Sequence, residues 1–175
     1  KMANRFYKLA LGGIFAIIII GGYMAFTGYA NDVYPLDQSV GFLDRIVATS
    51  DPQSIIADIN SIKANLPETG NPVWIFPTDS TNFARIQADL DTMLISAEKI
   101  AAVPTDSAAY HTGMLDINSR SVLIQENISD AIPYMYVSFS NIIFSSIWIA
   151  AILGIFAVLN KKKQKMQEYD VSQDV

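Results

Sequence analysis

Two long stretches without a single charged side chain constrain this sequence more than any other feature. Residues 9–31 form an uncharged run of 23, and residues 131–160 one of 30. A helix rises about 1.5 Å per residue, so each run can cross a hydrocarbon core about 30 Å thick. The chain as a whole is 51% hydrophobic and 17% charged, with a mean hydropathy of +0.27, and the two runs hold most of that apolar excess. These figures exclude a wholly soluble protein. The basic residues Lys1, Arg5 and Lys8, an apolar stretch and small residues at Gly28 and Ala30 also fit the outline of a secretory signal. An uncharged run this long exceeds the usual apolar region of about 7–15 residues, so the first run is expected to be a retained helix. Lys1 preceding Met2 suggests a natural start elsewhere.

Charge sets the expected orientation. Residues 1–8 carry three bases and no acid, and the second run is followed at once by Lys161, Lys162, Lys163 and Lys165. Basic flanks stay on the cytoplasmic side. The 99 residues between the runs hold 14 acids against 5 bases, a net charge of −9. The expected layout is an all-α membrane protein in which two transmembrane helices flank an extracytoplasmic antiparallel helical bundle. Its parts are a cytoplasmic N-terminal flank (1–8), a first transmembrane helix (9–31), the outer helical domain (32–130), a second transmembrane helix with its membrane-entry segment (131–160) and a cytoplasmic tail (161–175). The plasma membrane is the expected location. An acidic domain of this size repels phosphates, which argues against nucleic-acid binding.

The outer segment reads as helices. After Pro35, Asp37 is placed to cap a helix with Val40, Leu43, Ile46 and Val47 on one face. Asp51 before Pro52 is a helix start, and Ile55, Ile59, Ile62 and Leu66 follow at helical spacing. Phe83, Ile86, Leu90, Met93, Ala97 and Ile100 alternate spacings of three and four, after a cap expected at Asp79 or Ser80. A last helix starts near residues 105–107, carries Tyr110, Met114, Ile117, Ile124 and Ile128, and is expected to run through Pro133 into the membrane with a kink there.

One stretch breaks the rhythm. Residues 67–77, PETGNPVWIFP, place Val73, Trp74, Ile75 and Phe76 between Pro72 and Pro77, which forbids a regular helix. The stretch either covers the end of the bundle or projects as a docking loop towards a partner or the outer leaflet.

In the membrane runs, Gly12, Gly13, Gly21 and Gly22 let another backbone approach the first helix. Ser146, Ala150 and Gly154 form a small face at strict i, i+4 spacing on the second. These faces either join the two helices to each other or receive partner helices. Their extent exceeds what one helix pair consumes. Tyrosines 23, 29, 34, 134 and 136 gather towards the outer ends, as interfacial belts do. Neither run contains an ionisable side chain of the kind that ion pathways and proton relays need. The lysines at 161, 162, 163 and 165 suit anionic headgroups.

Chemistry is sparse. The chain has no cysteine and one histidine, so cysteine-based metal sites and a multi-histidine centre are excluded. His111 and Met114 at i, i+3 offer two soft ligands, too few for a copper site. Asp89 and Asp91 point to different faces of a helix. Asn127-Ile128-Ser129 matches a glycosylation sequon. No catalytic residue, cofactor or metal is expected. The expected partners are other integral membrane subunits and the lipid bilayer, with no nucleic acid and no dedicated small-molecule substrate. The alternative is the ligand-binding outer domain of a two-span receptor without its output module, since only about 15 residues follow the second run.

Ile-rich spans alternating with an Asp-, Asn- and Ser-rich, cysteine-free outer domain resemble membrane proteins of ammonia-oxidising archaea. The layout looks like that of two-span helical accessory subunits of the ammonia monooxygenase complex. The likeness is one of composition and layout over the whole chain, with no motif by which to transfer a residue. It implies a non-catalytic subunit, with copper and the oxidising site on other subunits.

Overall fold

The computed structural model describes residues 2–171, with side chains for residues 11–138 and 141–165. It is helical, and no strand occurs among the described residues. The elements are α1 (Met2–Gly28), a π-helical turn (Tyr29–Val33), α2 (Tyr34–Ala48), α3 (Pro52–Asn65), α4 (Phe83–Ala101), α5 (Ala108–Tyr136) and α6 (Phe139–Val171). Two of the helices are long and apolar enough to cross a membrane. The chain divides into two compact units, one built from α1 and α6 and the other from Gly28 to Ser138.

In the second unit, α2 packs on α3 and α5, α3 on α4, and α4 on α5, closing a ring of four helices. The stripe on α4 explains why the ring holds. Phe83, Ile86, Leu90, Met93, Ala97 and Ile100 are all buried. They meet Ile55, Ile59, Ile62 and Leu66 from the α3 side and Tyr110, Met114, Ile117, Ile124 and Ile128 from α5 in one core. Full burial of a side chain of this size contributes about 1.5–3 kcal/mol.

Helix ends follow from local chemistry. Asp51 caps α3, accepting from the backbone N–H groups of Gln53 (3.2 Å) and Ser54 (3.1 Å), with Pro52 at the first helical position. The far end of α3 is closed by Gln87 of α4, whose side-chain amide donates to the carbonyls of Lys63 (3.1 Å) and Leu66 (3.2 Å). Ser107 caps α5 by accepting from Tyr110 N–H at 3.1 Å.

Three expectations change. The cap of α4 is Asn82, which accepts from Ala84 N–H at 3.0 Å, not Asp79 or Ser80. Asp37 caps nothing: α2 follows the π turn directly and Asp37 lies in its first turn. Pro35 gives the reason. It lacks the N–H that an α-helix would direct at residue 31, and its ring crowds that carbonyl. The wider turn, closed from Tyr34 N–H to Tyr29 carbonyl, accommodates it. On the expected face of α2, Leu43 and Ile46 are buried and Val40 packs against the core, joined by Leu36 and Ser39, whereas Val47 is exposed. Finally, α5 passes Pro133 but stops at Tyr136, and Val137 and Ser138 separate it from α6. Ala131, at the start of the uncharged run, is buried in the core of the four-helix unit. Absence of charge there reflects packing against protein.

Candidate interaction site

In the unit of α1 and α6, Trp148 of α6 makes contact with α1. Trp148 lies against Gly21, where an added Cβ would sit 2.7 Å from the indole Nε1. The indole N–H donates to the carbonyl of Ile17 at 3.0 Å. Ile17 is four residues before Gly21, so its carbonyl already accepts the helical bond and offers a second lone pair to the indole. The missing side chain at Gly21 exposes that lone pair. A tryptophan N–H in an apolar setting needs such a partner.

The residues of α6 on the Trp148 side are the least exposed of its apolar stretch: Ile152, Ile155 and Leu159 follow Trp148 at spacings of four, three and four, and all three are half-buried. At 3.6 residues per turn, Ser146, Ala150 and Gly154 fall on the opposite side of the helix. All three are exposed, and an added Cβ at Gly154 would meet nothing within 4 Å. Gly12, Gly13 and Gly22 likewise have no neighbour within 4 Å of an added Cβ. Of the small residues singled out by spacing, only Gly21 meets the other helix of its unit, while the Ser146 face is turned away from it. Lys161, Lys162, Lys163 and Lys165 extend from the same helix and are exposed.

In the four-helix unit, the proline-rich stretch is a clamped loop. The Asn71 side chain donates to the carbonyl of Thr78 at 2.7 Å and accepts from Val73 N–H and Thr81 Oγ1 at 3.0 Å each. Gly70 adopts a φ of +109°, a left-handed conformation suited to glycine, and its carbonyl accepts from Phe83 N–H. Between the clamped ends, Val73 turns inward and is buried, whereas Trp74, Ile75 and Phe76 are 45%, 58% and 80% exposed. The stretch thus has one buried residue followed by three exposed ones. The Trp74 indole donates to the carbonyl of Val137 at 3.0 Å. That carbonyl lies just past the end of α5, where helical partners run out.

Several charged groups in this unit are paired with one another. Arg45 pairs with Asp58, whose carboxylate is nearly buried, and stacks over the Phe42 ring at 4.8 Å. Lys63 pairs with Asp91, and Arg120 with Asp116 at 2.8 Å. Asp51 is held below the usual carboxylate range, first by the Ser54 hydroxyl and then by the backbone N–H groups it caps. His111 is exposed and meets the Tyr110 ring edge-on, while Met114 points into the core, so the two do not converge. A shallow cleft of about 400 Å³ is lined by Asp79, Arg85, Asp89, Arg120 and Asn127, with Arg85 already within 3.5 Å of Asp79. No group of three metal-ligating side chains occurs among the described residues.

Comparison with known proteins yields no match among family models, curated proteins or solved structures.

Proposed function

We propose that this protein is a non-catalytic, two-pass accessory subunit of a multi-subunit membrane complex. In this reading both ends are cytoplasmic and an acidic, antiparallel four-helix bundle lies outside. The observation that carries it is the division of labour on α6. One face holds Trp148 against Gly21 and Ile17, and the opposite face presents Ser146, Ala150 and Gly154 uncovered. Without a hydrophobic driving force in lipid, close backbone approach over small residues is what joins helices. The small face is therefore the seat of a partner helix. Copper-dependent ammonia monooxygenase is the host complex that the composition and layout suggest testing first.

Replacing both Ala150 and Gly154 by Leu is expected to release co-purifying membrane subunits while leaving the bundle's unfolding transition unchanged. Retention of all partners by the double variant, measured by mild-detergent purification and mass spectrometry, would overturn the placement.

A further inference from the structure

We infer that the loop of residues 72–77 is a membrane-interface anchor, with Trp74, Ile75 and Phe76 seated among the headgroups of the leaflet that α6 enters. The inference rests on the reading that α6 crosses a membrane, and reaches beyond the partner-helix role. Its first support is the construction of the loop. The Asn71–Thr78 clamp, two flanking prolines and the buried Val73 hold three consecutive large apolar side chains outward, with exposure increasing to 80% at Phe76. A preorganised apolar tip spends little ordering entropy on insertion.

Its second support is position along the chain. The Trp74 indole is bonded to Val137, and Val137 is two residues before Phe139, the first residue of α6. The loop is thus tied to the short segment of its own unit that leads into α6. The neighbouring surface has matching chemistry. Tyr134 and Tyr136 in the last turn of α5 are exposed, and Tyr29 pairs with Tyr34 at the π turn, which packs on α5. Tyrosine and tryptophan gather at this depth because one end of each ring prefers water and the other hydrocarbon. Charge excludes a different mode of lipid binding: residues 67–78 contain one acid and no base. Attachment is through apolar burial and is independent of headgroup charge.

The absence of cysteine lets the full chain carry a single spin label in phosphatidylcholine vesicles. Labels are placed through Phe76→Cys and Ile75→Cys at the tip, Ala151→Cys within α6, and Asp106→Cys beside the start of α5. Collision with oxygen and with a water-soluble nickel chelate reads the depth of each. The expected result is nickel contact at 76 and 75 several-fold below that at 106, with oxygen contact raised towards that at 151, in low and high salt alike. Nickel contact at 76 equal to that at 106 would place the loop in water and overturn the inference. Shielding of 76 from both reagents would mean protein cover and overturn it equally, as would release of the loop by salt. Nickel contact at 151 equal to that at 106 would refute the membrane-spanning reading itself, and so separates the two failures.

Discussion

The four-helix unit and the α1–α6 unit place their apolar side chains by different rules. In the first, every helix buries one face, and the residues at three- and four-residue spacing on α4 all lie in the core. In the second, most large apolar residues stay exposed, Leu11 and Leu153 at 73% and 62%. Water sorts side chains by face, because exposure of an apolar one costs about 25 cal/mol per Å². In the proposed two-span reading α1 and α6 face a hydrocarbon solvent, which applies no such sorting, so contact falls to the few places where a backbone comes close or a polar hydrogen needs an acceptor. Gly21, Ile17 and Trp148 form such a place.

Substitutions can break or sharpen this contrast. The largest effect is expected in the core: Leu90→Ala should destabilise the four-helix unit by about 2–5 kcal/mol in denaturant unfolding. Leu153→Ala removes the same atoms from an exposed position on α6 and should leave that transition in place. Equal losses from the two would erase the distinction. Next is Gly21→Leu, which drives a side chain into the Trp148 indole. Loss of the interhelical bond is expected to weaken the α1–α6 contact by about 1–2 kcal/mol. In a Trp74→Phe background, the emission of Trp148 should shift, and an unchanged spectrum would deny the contact. Ser107→Ala removes the cap of α5 and should cost about 1 kcal/mol in the same unfolding assay, with Ser107→Asn restoring most of it.

The smallest effect is one of pH. Asp51 has a lowered pKa in the folded state because its ionised form accepts from Ser54 and from two backbone N–H groups. Its stabilisation is therefore fully present above the ordinary aspartate value of about 3.9 and disappears as pH falls through the lower folded value. Acid unfolding of Asp51→Asn should show a shallower pH dependence than the unsubstituted chain. Identical profiles would show that the cap does not depend on charge.

Much of the bundle was legible because local rules and tertiary packing agree there. The Asp51–Pro52 start and the stripes on α3, α4 and α5 needed only spacing and capping chemistry. Where the reading failed, a distant or unusual bond had intervened. Asn82 caps α4 because the preceding residues are drawn into the Asn71, Thr78 and Thr81 hydrogen bonds, which link positions up to ten residues apart. The π turn ahead of α2 is an i→i+5 arrangement that apolar period does not reveal. Ser121 is fully buried at a core position of α5, bonded to the Ile117 carbonyl at 2.9 Å and to Met93 Sδ at 3.4 Å, and an apolar template skips it. Among the glycines of α1, the sequence marked Gly12, Gly13, Gly21 and Gly22 alike. Only the position of Trp148 singles out Gly21, and that is a contact across 127 residues. The Trp74–Val137 bond spans 63 and has no local signal at all.

The central claim is that the Ser146, Ala150 and Gly154 face seats a partner helix. Its most direct test is native mass spectrometry of the protein extracted in mild detergent from its own membrane, alongside the variant with Ala150→Leu and Gly154→Leu. The account predicts that the unsubstituted chain migrates in a stable assembly with other integral membrane polypeptides, and that the double variant is released from it. A chain that migrates alone or as a homodimer, or a double variant that stays in the assembly, would contradict it.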